Sequence, residues 1–310
     1  MRIPKFVYIS CFIFILIAII FENYDFKKSA RTANSYTTKN QDNENDNVVF
    51  ELNKSPISND ANKKFGDVED IVKRGELIVC ALKNPKNPLF QMKKGESFIG
   101  EDINLAKRLA DHLGVKLVYR MVYKSYDDVI DAVSRGEGDI GISKLSYTPN
   151  RSRKVLYSTP YVNSRKVLLI NRLILEKDKP ETIDDLFRNY SETIAVTKDT
   201  SYEIFAKKIF PHATIVSNKD WENYIIPKLE SGEFAATMRD EVRIKLLLNE
   251  NPKLLLKLLP IILKNEHDSM SAVVNLKNIA FLNFVNKFLE LEYMPKNVDE
   301  LIEKYKDSHK

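Results

Sequence analysis

Residues 139–161 read DIGISKLSYTPNRSRKVLYSTPY. The compact apolar run Asp139–Ser146 predicts a buried strand. Its far end carries the small hydroxyls Ser143 and Ser146, with Lys144 between them. Thr148 and Pro149 then turn the chain, and Arg151 follows. Ligands of parallel α/β sheets gather at the carboxyl ends of strands. A guanidinium at such an end can grip a carboxylate through two parallel hydrogen bonds. The competing reading makes Arg151 a surface arginine beside Arg153 and Lys154.

The flanking sequence supplies the units such a strand needs. Upstream, Asp67–Arg74 predicts a short helix closed by Gly75, and Leu77–Leu82 a buried strand. Glu101–Leu113 places Ile103, Ala106, Ala110 and Leu113 on one helical face, with Gly114 at the C-cap. Val115–Val122 predicts a strand, and Ser125 with Asp128 resembles a capping box. Downstream, Lys166–Ile170 and Thr193–Val196 are further short strands. Strands alternating with helices define an α/β chain with a mostly parallel sheet. Gly136, Gly138 and Gly141 fit GxGxxG, but here a helix precedes and a strand follows. A dinucleotide site needs the reverse order, so the glycines read as a helix-to-strand turn.

Composition narrows the function. The 310 residues hold 48 basic and 43 acidic side chains for a net charge of +5, too mixed for a nucleic-acid stripe. Two cysteines, Cys11 and Cys80, cannot frame a zinc site, and the four histidines lack ligand spacing. No cofactor is expected. Phe6–Phe21 is uncharged and apolar, preceded by Arg2 and Lys5. That pattern sends the downstream chain across a membrane. Residues 1–28 read as a signal peptide or a membrane anchor, the anchor being preferred because no small-x-small cleavage site stands near Phe21. Residues 29–66 are polar, apart from Val48, Val49 and Phe50, and predict a disordered linker.

The ordered set of motifs resembles the family 3 extracellular solute-binding proteins, the amino-acid receptors of ABC importers. The carriers are Arg74-Gly75-Glu76-Leu77-Ile78-Val79, Gly100-Glu101-Asp102-Ile103-Asn104-Leu105-Ala106 and Asp139 through Arg151. Tyr157-Ser158-Thr159-Pro160-Tyr161, Ala195–Ser201 and Gly232–Asp240 follow in order. The resemblance implies a two-lobed, type II periplasmic-binding-protein-like clamp. Lobe one would take residues 67–165, lobe two 166–263, and 264–310 would return to lobe one. The stripe Phe281, Phe284, Val285, Phe288 and Leu289 would be core packing.

The resemblance also implies roles. Arg151 would hold the ligand carboxylate, helped by Thr200 and Ser201. Asp240 would take the α-ammonium, with Ser146 and the backbone near Lys144; its alternative reading is a helix N-cap. Ser143 would line the same strand end, and Phe90 would face the ligand side chain. Three departures stand out: Glu101 for an aromatic, Asp199 for a glycine, Lys144 for a small residue. They would pair with one another or read a charged ligand. The expected protein is therefore a monomeric, non-enzymatic, extracytoplasmic receptor, periplasmic and held to the inner membrane by residues 6–21. It would bind a small polar solute, most simply an amino acid, for an ABC transporter permease. The absence of room for a catalytic domain before Lys310 supports that expectation. A dehydratase using Glu101 and Lys144, or a tethered sensor, are the alternatives.

Overall fold

The computed structural model describes residues 48–52, 67–83, 89–90, 92–94, 97–178, 189–294 and 296–305. The apolar run 6–21 and most of the linker lie outside the described residues. Among the described residues, no helix is long and apolar enough to cross a membrane.

Helix α1 (Val68–Arg74) starts on the Asp67 side chain, which accepts the Val68 N–H, and stops at Gly75 with φ of 72°. A glycine suits that left-handed turn because it has no Cβ to clash. Strand β2 (Glu76–Leu82) then enters the core. The buried Asp139 carboxylate accepts the Ile78 N–H at 2.8 Å and an Arg74 guanidinium bond. The opening acid of the quoted stretch thus ties two strands together rather than facing a ligand.

Two sheets form. The first joins β1 (Val48–Glu51), β5 (Lys116–Tyr123), β2, β6 (Ile140–Ser146), β13 (Met270–Asn275), β7 (Val155–Asn163) and β14 (Lys296–Asn297), in that order. The second joins β10 (Thr214–Asn218), β9 (Thr193–Thr197), β11 (Ala236–Asp240), β8 (Arg165–Asn171) and β12 (Leu258–His267). Strands β3 (Met92–Lys94) and β4 (Ser97–Ile99) make a small separate hairpin. Each large sheet has a parallel half and an antiparallel half. The antiparallel members β7, β8, β12 and β13 adjoin the points where the chain changes sheet. It passes over through Ser164 alone and returns through Asp268 and Ser269. The Asp268 N–H donates to the Ser164 carbonyl at 2.9 Å, so the two crossings run side by side. This is a two-lobed clamp.

One expectation is corrected here. Val48–Glu51 is not linker but an edge strand, parallel to β5, with Phe50 stacked near Phe98 and Tyr119. Val48 and Phe50 pack against the first lobe's core while Val49 faces out, and Glu51 meets Arg120 at 2.8 Å. The GxGxxG glycines form a turn and the start of β6. A Cβ on Gly138 would come within 2.5 Å of the buried Cys80 Sγ.

Helix α2 (Glu101–Leu113) packs on the first sheet, as does α3 (Tyr126–Ser134) with its Ser125–Asp128 capping box. Helix α4 (Pro149–Ser152) is a single turn, capped by Thr148. Helix α5 (Arg172–Asp178) leaves β8, and α6 (Tyr202–Ile209) follows β9. Helix α7 (Ile226–Ser231) precedes β11, and α8 (Glu241–Glu250) follows it. Helix α9 (Ile279–Phe288) buries Phe281, Val285 and Phe288 in the first lobe's core, with Leu289 just beyond its end and Phe284 half-buried against it. Helix α10 (Val298–Tyr305) ends the described chain. Helix α8 serves both lobes: Val242 and Leu246 join the first core, Ile244, Leu247 and Leu248 the second.

Candidate functional site

The carboxyl ends of β6 and β11 meet between the lobes. Lys144, on β6, donates from Nζ to Asp240 Oδ2, at the end of β11, over 2.6 Å. Asp240 is fully buried and the Lys144 side chain is 10% exposed. The other Asp240 oxygen, Oδ1, accepts the Arg243 N–H at 3.0 Å. Asp240 therefore caps α8 with one oxygen and holds Lys144 with the other. Burial pushes its carboxyl up, but the Lys144 and Arg239 cations outweigh this and hold it below the usual carboxylate range.

Lys144 is fixed from behind. Its φ of 51° lies in the left-handed region, sparsely used by non-glycine residues. Its N–H donates to Tyr161 Oη at 3.1 Å, and that hydroxyl donates to the buried Asp102 at 2.5 Å. Burial pushes the Asp102 carboxyl up to about 8, against the Tyr161 bond. The Lys144 ammonium stands 5.7 Å from the ring centroid of Phe90, which is buried in the first lobe's core.

Arg151 is not a surface arginine: its side chain is only 7% exposed. Nε donates to Asp127 Oδ1 at 2.7 Å, one terminal nitrogen to the Ser146 carbonyl at 3.3 Å, and the guanidinium lies 5.8 Å over Tyr126. Asp127 itself is 66% exposed. The Ser146 carbonyl accepts from the Tyr157 hydroxyl at 3.1 Å as well as from Arg151. Ser143 is spent inside the lobe, accepting the Leu82 N–H at 3.0 Å.

On the second lobe, Asp199 takes the left-handed φ of 61° where the chain turns into α6. Thr200 donates its hydroxyl to the Thr197 carbonyl at 2.6 Å, and buried Ser201 stands at the N-cap without a side-chain cap bond. Arg239 donates to Thr197 Oγ1 at 2.5 Å and lies over Trp221 and Tyr202. The Tyr202 hydroxyl donates to Asp268 and is 3.5 Å from Asp240 Oδ2. Burial, then the neighbouring Asp240, raises the Asp268 carboxyl.

The three departures do not pair with one another. Glu101 is buried in lobe one, bonded by Tyr293, Tyr305 and Lys304, with Lys296 at 3.3 Å. It fastens the C-terminal elements rather than facing the cleft. Asp199 meets Lys219 at 3.4 Å on the surface. A dehydratase pairing of Glu101 with Lys144 therefore has no geometric basis. Sequence reasoning missed Asp268, Arg239 and the Tyr202 hydroxyl. Tyr202 directly follows the Thr200-Ser201 pair and could have been suspected; Asp268 is an isolated acid with no local pattern.

Two α/β lobes joined by paired crossings, with polar side chains converging at strand ends between them, define a type II periplasmic-binding-protein clamp. The family model for bacterial extracellular solute-binding proteins, family 3, matches residues 78–308, and the chain belongs to that family. Its members act outside the cytoplasm, as the family description states. Among solved structures, the chain is similar to an amino acid ABC transporter substrate-binding protein from Streptococcus pneumoniae bound to L-arginine. Identity is 27%, the TM-score 0.54, and the match covers 78% of this chain and 93% of that one. A putative binding component of an ABC transporter from Wolinella succinogenes, complexed with lysine, shares the fold at 23% identity. Its TM-score is 0.60, over 74% of this chain and 95% of that one.

The curated relatives differ. The membrane-bound lytic murein transglycosylase F of Serratia proteamaculans is 28% identical over 194 residues, 61% of this chain and 38% of that protein. The chain thus spans well under half of the curated relative it matches. That relative is an enzyme, which overturns the expectation of a non-enzymatic protein and the argument drawn from the position of Lys310.

Proposed function

We propose that the cleft captures a small solute bearing a carboxylate, an amino acid or a close chemical relative, outside the cytoplasm. The observation that carries this reading is Arg151: a buried guanidinium in α4, just past β6, bonded to the Ser146 carbonyl at the strand end. Arg151 would take the ligand carboxylate, with Ser201 and Thr200 approaching from the other lobe at the start of α6. Ser146, Lys144 and Asp240 would surround the α-carbon, and Phe90 would form the floor beneath Lys144. Ser143 acts indirectly, by holding β6 against β2. The captured solute would pass to an ABC transporter permease, as the S. pneumoniae relative's description suggests for that protein. Anchoring by residues 6–21, and a monomeric state, belong to the same proposal.

The test is calorimetric titration of the wild type and Arg151→Ala against the standard amino acids and a set of simple carboxylic acids. Loss of binding in the variant, with circular dichroism intact, supports the site; wild-type affinity in Arg151→Ala overturns it. A second reading is favoured by the curated relatives: the clamp serves a lytic murein transglycosylase, its ligand informing that activity. Release of soluble fragments from purified murein, with and without a captured ligand, separates this reading from delivery to an importer.

A further inference from the structure

We propose that Lys144 sets the ligand class of this cleft: its ammonium takes the amine place on Asp240, and the preferred ligands are small carboxylates without an α-amino group, such as 2-oxo and 2-hydroxy acids. This rests on the reading of the cleft as a carboxylate-binding site.

The argument starts from the capacity of one carboxylate. Asp240 accepts the Arg243 N–H on Oδ1 and the Lys144 ammonium on Oδ2, with Tyr202 Oη a further 3.5 Å contact. It is fully buried. A ligand ammonium arriving at Asp240 must either displace Lys144 or share a single buried charge with it. Sharing leaves one cation uncompensated where water is excluded, which is unfavourable. Displacement is resisted, because it breaks a 2.6 Å ion pair whose carboxylate is fully buried. The Lys144 backbone takes the left-handed region, with its N–H on Tyr161, which in turn bonds Asp102, and its ammonium stands 5.7 Å from the Phe90 ring centroid.

The rest of the cluster suits an oxygen ligand. Arg151 and Arg239 add two further cations around the strand ends. Asp268 places Oδ2 on the Tyr202 hydroxyl and keeps Oδ1 without a partner among the described residues. Burial and the adjacent Asp240 charge raise its proton affinity.

The test uses the full chain and matched probe sets: an amino acid, its 2-oxo acid and its 2-hydroxy acid, for side chains from methyl to benzyl. Titration of the wild type is expected to show the 2-oxo or 2-hydroxy acid bound about tenfold or more tighter than the matching amino acid, the factor worth one charge-assisted bond. Lys144→Gly, which suits the left-handed backbone, is expected to reverse that order, and adding Asp240→Asn to it should remove the gain. A wild type that prefers amino acids overturns the proposal, and this arm stands even if the glycine variant fails to fold. Amino-acid binding that depends on Asp268 rather than Asp240 overturns it too. Arg151→Ala keeps the two readings apart. If it abolishes binding while Lys144→Gly leaves the ranking unchanged, the site stands and the selectivity proposal falls. If Arg151→Ala binds like wild type, or no probe binds either protein, the carboxylate site itself falls.

Discussion

The Lys144–Asp240 pair joins the lobes, and its energetics can be worked from its surroundings. Lys144→Met removes the ammonium but keeps most of the aliphatic stem. Asp240, fully buried, then retains only the Arg243 N–H, a long Tyr202 contact and the field of Arg239. Stranding a buried charge in this way costs about 3–5 kcal/mol. Asp240→Asn behaves differently. Asparagine is as good an N-cap as aspartate, so α8 keeps its start, and the 10%-exposed Lys144 can extend its ammonium toward water. That variant should lose about 1–3 kcal/mol. With both changes no charge is stranded, so the double variant should be more stable than Lys144→Met alone. Urea unfolding followed by Trp221 fluorescence reads this directly, since Trp221 is the sole tryptophan and is buried beside Arg239. If the two losses simply add in the double variant, the residues are not coupled, and the pair does not hold the lobes together.

Arg151→Lys keeps the charge but loses the fork, so ligand affinity should fall by about one charge-assisted hydrogen bond, roughly 1.5–3 kcal/mol; titration calorimetry checks it, and thermal stability should barely change because Asp127 is largely exposed. Asp102 has a folded value raised to about 8 against about 4 in the unfolded chain. The folded state therefore binds the extra proton between those values, and stability should decline as pH rises through that window, by up to about 1.4 kcal/mol per unit from this group. Asp102→Asn should flatten that slope in denaturation curves taken from pH 5 to 8. Gly138→Ala drives a methyl into Cys80 Sγ and the Ile78 carbonyl, and thermal melts should show a loss of about 1–3 kcal/mol.

Local pattern carried the fold wherever one element's own residues decide its shape. The Gly75 and Gly114 stops and the Ser125–Asp128 box each act within five residues, and each was legible. The edge strand at Val48–Glu51 was not, because a four-residue strand in a polar segment is stabilised only by the sheet it joins. The site divides along the same line. Arg151 and Asp240 were legible as strand-end residues, but their partners come from distant parts of the chain. Lys144 meets Asp240 across 96 residues, and Tyr202 meets Asp268 across 66. Glu101 shows the cost of reading position alone. Beside Asp102, which reaches Lys144 through Tyr161, it was expected near the ligand. Consecutive residues of a helix project about 100° apart, so Asp102 serves the cleft while Glu101 turns toward Tyr293, Lys304 and Tyr305. That division assigns the two acids opposite consequences: neutralising Glu101 should loosen the C-terminal helix, and neutralising Asp102 should be felt at Lys144, through the single hydroxyl of Tyr161.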